Sequence, residues 1–170
     1  MTRPVRQPRR RPRPAGALAL SLCCAALVSA VVTVGPAAAA PADNSARVIA
    51  LVNQHRRQAG CGPLTADRRL DSLAQSLSDD MAGRGFFDHT DPDGHSPWDR
   101  ARAASIGYLG GENIARGQPT PEAVVTAWMD SPGHRANLLD CRFTTLGTGL
   151  HQGPGGPWWT EDFGYPQNAR

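Results

Sequence analysis

The stretch TLGTGLHQGPGGPWWTEDF, residues 145–163, decides the fold class. Thr145 to His151 reads as a strand, Gly153 to Pro157 as a turn, and Trp158 to Phe163 as a second strand. The two make a hairpin, and a hairpin alone is not stable in water; at least a third strand is needed. Upstream, from about residue 45, the chain reads as helices and turns. Strands that cluster late beneath a majority of helices predict an α+β domain with helices covering a small sheet.

Working outward, the clearest helix carries Leu70, Leu73, Ala74, Leu77 and Met81 at i, i+3, i+4, i+7 and i+11. Thr65 or Asp67 is its candidate cap, and Gly83 to Gly85 its stop. Val48, Leu51 and Val52 predict an earlier helix from Ser45 to Ala59, ended by Gly60. Ser96-Pro97, Thr120-Pro121 and Ser131-Pro132 each place a capping hydroxyl before a proline, the signature of a helix start. Residues Asp91 to Gly94 are turn chemistry.

The N-terminus has a different character. Arg3, Arg6, Arg9, Arg10, Arg11 and Arg13 precede an uncharged apolar run from Ala15 to Val34 and a small-residue exit at Ala37 to Ala40. Basic start, apolar middle and A-x-A exit compose a secretory signal peptide over 1–40. The alternative is an anchor, since about 20 apolar residues span a bilayer. No basic stop-transfer cluster follows, which favours cleavage. The arginine tract leaves a twin-arginine route open. Six of the 18 basic residues lie in this segment, leaving 12 against 15 acidic, a net charge of −3. The precursor pI of 8.9 is therefore no argument for nucleic-acid binding. The expected organisation is a polar lead at 41–46, one domain at 47–165 and a tail at 166–170. The expected product is a secreted, extracellular monomer that does not span the membrane.

Cys23 and Cys24 leave with the signal, and Cys61 and Cys141 remain. An even pair in an exported chain is most simply a disulfide, and closing so long a loop stabilises by about 4.5 kcal/mol in the chain-entropy model. Metal ligation by the two is the weaker alternative, because neither has a C-x-x-C partner or a nearby His.

Four blocks carry a family resemblance. FFDHTDPDG at 86–94 resembles the first block of the bacterial CAP, or SCP-like, family, related to cysteine-rich secretory and plant pathogenesis-related proteins. GENIA at 111–115 resembles its G-E-N-[IL]-A block, AWMDSPGHRANLL at 127–139 its W-x-x-S-x-x-H-R-x-N segment, and GGPWWT at 155–160 its late strand. The order holds from about Val48 to Phe163. The resemblance implies an α-β-α sandwich around a mostly antiparallel sheet, with a shallow cleft floored by His and Glu. Animal members have two of each there. His89 matches the first His and Glu112 the Glu of the G-E-N block. Ser131 stands where the helix Glu is expected and Trp158 where the strand His is expected. The resemblance also implies lipid, sterol or divalent-metal binding and, in bacteria, roles at the cell envelope.

Each candidate has a chemical and a structural reading. His89 suits a metal ligand or general base, or a buried ring that ties a loop to the sheet. Glu112 is placed to orient His89 as acids orient metal-bound imidazoles, or serves as an ion pair or cap; Gly110-Gly111 before it lets the backbone approach another segment. His134, third in its helix, is expected to be kept neutral by the helix N-terminus, the form that binds metal; otherwise it is a surface residue. His55, His95 and His151 read as surface residues, Arg135 as solvated, and Trp98, Trp128, Trp158 and Trp159 as core or cleft wall. No G-x-S-x-G elbow, H-E-x-x-H, phosphate loop or dinucleotide motif occurs. The expected function is an extracytoplasmic ligand-binding module, for lipid or sterol or for a divalent metal such as zinc. The alternative is a metal-dependent hydrolase with His89 and His134 on the metal and Glu112 assisting.

Overall fold

In the computed structural model, residues 41–167 are described, with side chains from Asn44 onward. The signal segment 1–40, Cys23 and Cys24, and the last three tail residues lie outside them. The helices are α1 (Pro41–Gln58), α2 (Arg68–Arg84), α3 (Pro97–Ala103), α4 (Pro121–Asp130) and α5 (Pro132–Leu138). The strands are β1 (Thr65–Ala66), β2 (Leu109–Arg116), β3 (Thr145–His151) and β4 (Trp158–Gly164), in sheet order β1-β3-β4-β2. The expected hairpin is β3–β4. Strand β2 lies antiparallel on the far side of β4, and β1 pairs parallel with β3.

Strand β2 is the stabilising third strand, and the sequence hid it. Seven of its eight residues are buried or half-buried, because helices cover both faces. A strand covered on both faces shows no polar–apolar alternation. The first helix starts at Pro41, ahead of the expected Ser45, so its bounds take in residues 41–46. Asp67, not Thr65, caps α2, accepting from the amides of Arg69 and Leu70 at 2.9 and 3.3 Å.

Two cores result. On one face α1, α4 and α5 bury Val48, Val52, Val124, Trp128 and Leu138 against Leu146, Trp159 and Phe163. On the other, α2 and α3 bury Leu70, Leu73 and Ala101 with Leu109, while Leu77 and Met81 meet Ile114 and Trp158. This is the α-β-α sandwich. Helix α2 lies so close to β3 that a Cβ on Gly147 would strike the backbone of Leu70 and Asp71. The Cys61–Cys141 bond closes at a Cα separation of 4.9 Å, joining the end of α1 to the segment after α5. Among the described residues no helix is long and apolar enough to cross a membrane.

Candidate functional site

The site is assembled where the α2–α3 loop, α3 and β2 meet. Phe86 packs on the Leu77–Met81–Ile114–Trp158 cluster and anchors the loop. Asp91 then folds it into a tight turn, its carboxylate accepting from the amides of Asp93 and His95 at 3.0 and 2.9 Å. Ser96 and Asp99 form a capping box that starts α3 at Pro97. From α3, Arg100 donates to the carbonyls of His89 and His95 at 2.8 and 2.9 Å, and to Glu112 Oε2 at 2.7 Å. His89 Nδ1 meets Glu112 Oε1 at 2.8 Å.

Burial grades this network. The Glu112 side chain is 3% exposed and His89 45%, with Arg100 at 13%. A carboxylate partner fixes the proton on Nδ1 and leaves Nε2 as the open edge of the ring. The Glu112 hydrogen bond holds the His89 pKa above its ordinary value against the opposing effect of burial. Glu112 is buried but not isolated, since it accepts from two charge-bearing donors, which is what a sequestered carboxylate requires.

His134 is the third residue of α5, as expected. Its backbone carbonyl accepts from Asn113 Nδ2 at 3.2 Å, and Asn137 Nδ2 donates to the Glu112 carbonyl at 3.2 Å. These bonds fasten α5 to β2 beside the site. The His134 pKa is lowered, first by burial and then by the charge of His89. The direction is the expected one, but burial leads where the helix end was expected to. Gly110 makes the close approach anticipated for it: a Cβ there would collide with the ring of Phe143.

The family model for CAP, the cysteine-rich secretory protein family, matches residues 49–163. The chain belongs to the CAP family. It is 43% identical over 128 residues to the uncharacterized protein YkwD of Bacillus subtilis, covering 73% of this chain and 49% of that protein. It spans 33% of the uncharacterized membrane protein YlbC of the same species, at 30% identity over 69% of this chain. The chain thus spans half or less of the curated relatives it matches. Among solved structures, an extracellular SCP-domain protein of Bacillus anthracis superimposes with a TM-score of 0.69 at 30% identity, covering 74% of this chain and 41% of that one. An outer surface protein of Borrelia burgdorferi shares the fold at a TM-score of 0.64 and 20% identity, over 71% of this chain and 90% of that one.

In this CAP domain Trp158 does not join the His89 network. Its register partner is Arg116, whereas Glu112 faces Asp162; four residues of strand separate them, roughly 13 Å. Trp158 instead packs in the second core under the Arg116 guanidinium, 5.2 Å from its ring centre. Trp98, expected in the core or cleft wall, is 55% exposed on α3, because the core-facing positions of that short helix are Pro97 and Ala101. Arg135 donates to the Met129 carbonyl at 2.6 Å.

Three buried or half-buried charged residues in and behind the site escaped the sequence reading. Arg100 had no signal of its own. Glu161 and Asp162 had one: adjacent carboxylates inside a buried strand must face opposite sides, so at least one enters a core. Both are fully buried. Burial pushes Glu161 up to about 8 and Asp162 well above the carboxylate range, the latter helped by the nearby Glu112.

The donor chemistry also bears on the implied metal. Catalytic zinc takes three protein ligands. His89 has one nitrogen already committed to Glu112, and His134 offers a second imidazole. Among the described residues the set of three donors that converges within 4.8 Å is Asp91, Asp93 and His95, and Asp91 there is engaged with the loop's own amides. The residues do not fit a catalytic zinc centre. Grooves of about 660 and 580 Å³ are lined by Tyr108 with Tyr165 and by Gln75 with Trp159, and one of about 530 Å³ runs along Asp91, Asp93 and Arg100 at the edge of the site. His89 itself lines none of these three.

Proposed function

We propose that this CAP domain is an extracytoplasmic binding module whose ligand is an amphipathic component of the cell envelope, of lipid or sterol class. The observation that carries the reading is the half-exposed His89 ring backed by a buried Glu112, a polar contact point offered to solvent. Phe87, two residues before His89, and Trp98, two before Arg100, are large hydrophobics at 47% and 55% exposure. They supply apolar surface on the same loop and helix. Support for the compartment comes from the disulfide, from the signal-like segment 1–40, and from relatives described as extracellular and as an outer surface protein. The module acts as a monomer. Among the described residues both cysteines are in the disulfide, and no Ser or Thr hydroxyl bonds a His ring.

Sedimentation with vesicles of anionic phospholipid, with and without sterol, tests the proposal. Wild type should co-sediment, and His89→Ala and the double variant Phe87→Ser, Trp98→Ser should each lose most of that binding. Equal binding by all three would remove the site from the reading. Zinc titration belongs to the same experiment: stoichiometric uptake abolished by His89→Ala or His134→Ala would replace the lipid with a divalent ion as the ligand.

A further inference from the structure

Behind the His89–Glu112 pair lies a carboxyl group that nothing described so far has used. Asp162 pairs directly with Glu112 across β4 and β2, so their side chains share one face of the sheet with Cβ atoms about 5 Å apart, and the two carboxyl groups are within interaction reach of one another. Asp162 is 0% exposed, and neither of its oxygens has a hydrogen-bond donor in the protein as two bare acceptors. Its register partner on β3 is Gly147, which brings no side chain. From α2 the cover is the Leu70 backbone, and the Asp71 carboxylate of that helix is turned to the Thr148 amide. Of the α3 charges, Arg100 is the one that reaches Asp162; its Nη2 is given to Glu112, and its buried Nε makes no hydrogen bond. Glu161, the adjacent acid, points to the opposite face, toward Asn113.

Two ionised carboxylates in contact, dry and without a donor between them, repel strongly. One proton removes both difficulties, and it belongs on Asp162, because Glu112 already accepts from His89 and Arg100. We infer that Asp162 is a neutral carboxylic acid that donates its O–H to Glu112, making it the positioning residue that completes the donor shell of Glu112 and thereby fixes His89 with Nδ1–H inward and Nε2 outward. Glu112 then has three donors, from His89, Arg100 and Asp162, and remains ionised at the base of the site. The inference deepens the proposed binding site and depends on that reading only for its purpose, since its test reads protonation and tautomer and not ligand binding.

The test is NMR of the protein labelled with ¹³C at the Asp carboxyl and ¹⁵N in the His rings. The Asp162 carboxyl signal should stay at its protonated shift at pH values where exposed aspartates have long since ionised. Asp162→Asn, which keeps an N–H donor and no charge, should leave His89 in the Nδ1–H tautomer. Asp162→Ala, which keeps neither donor nor size, should shift the ring toward a tautomer mixture. An Asp162 signal titrating near the ordinary value of about 3.9 would overturn the inference, as would loss of the tautomer in Asp162→Asn. Should Asp162→Ala not fold, the first two measurements still decide.

Discussion

Two buried charge centres sit on opposite faces of the same sheet and are managed in opposite ways. On the α1–α4–α5 face, Arg56 is fully buried and donates to four backbone carbonyls, those of Gly62, Leu138, Asp140 and Phe143, at 2.9–3.0 Å. Those carbonyls belong to the turn after α1 and to the end of α5 with the segment that follows it, the two regions that the disulfide joins. Burial alone lowers the Arg56 pKa, only partly offset by Asp140, and the fork of the guanidinium is spent entirely on structure. On the α2–α3 face, Glu112, Asp162 and Arg100 form a network that is less completely satisfied: Arg100 Nε has no acceptor and the Asp162 carboxyl receives no donor, even with its own O–H given to Glu112, and the network ends in a half-exposed imidazole. A closed charge centre holds a fold together. One that stays incomplete and reaches solvent is where a protein keeps chemistry available.

The largest expected effect breaks the closed centre. Arg56→Met keeps much of the volume but takes the guanidinium donors from four carbonyls, of which those of Leu138 and Phe143 are buried and that of Asp140 keeps the Phe143 amide. The loss in unfolding free energy should be about 3–5 kcal/mol, read from denaturant melts with the disulfide intact. A loss below about 1 kcal/mol would mean that water reaches those carbonyls and that the two centres are less different than they look. The His89 tautomer should be unaffected in whatever fraction remains folded, since Arg56 lies on the other face.

What the sequence made legible follows the same division. The helix starts at a hydroxyl residue before proline and the β3–β4 hairpin announced themselves through local chemistry, because each signal sits within a few residues of its effect, although Ser131 makes no side-chain cap bond; the cysteines, 80 residues apart, were legible as the even pair left in an exported chain. The motifs FFDHT and GEN carried His89 and Glu112, which the structure brings to 2.8 Å. Arg56 and Arg100 could not be singled out among so many arginines. What distinguishes them is the set of carbonyls and carboxylates that reach them from distant segments, 82 to 87 residues away in the case of Leu138, Asp140 and Phe143. Strand β2 was obscured by its two-sided burial. Asp162 was visible as an acid in a buried strand, but its partner across the sheet depends on register.

A second expectation concerns pH and sharpens the contrast between acid and base. Burial raises Glu161 to about 8, so between its unfolded value of about 4.3 and that pH the native state holds a proton the unfolded chain has released. Stability should therefore fall as pH rises through this window, by up to about 1.4 kcal/mol per pH unit for the one group, and level off above it. Asp162 and His89 are both shifted upward and act in the same direction. Urea melts from about pH 5 to about pH 9 should show a domain more stable at acid pH, and Glu161→Gln should flatten the curve. A curve that rises with pH would show that these carboxyls are ionised in the native protein and compensated by groups not yet recognised.

The smallest effect separates stability from positioning. Ser96 caps α3: its amide and hydroxyl donate to Asp99 Oδ2 at 3.1 and 2.6 Å, and its Oγ accepts from the Asp99 amide at 3.3 Å. Thr120 caps α4 on the other face, accepting from the Ala123 amide at 3.2 Å. Replacing either with Ala should cost about 1 kcal/mol, so melts alone will not distinguish them. The difference lies in what the first turn of each helix carries. Helix α3 has only seven residues, and a frayed start loosens Arg100, which grips the His89 and His95 carbonyls and Glu112 together. Ser96→Ala should therefore speed hydrogen exchange of the loop amides held by that grip, Asp91 and Gly94 among them, and weaken the His89–Glu112 bond. Thr120→Ala should leave both unchanged at equal cost in stability. If the two variants alter loop exchange equally, Arg100 does not transmit the order of α3 to the site, and the loop is held by the Asp91 turn alone.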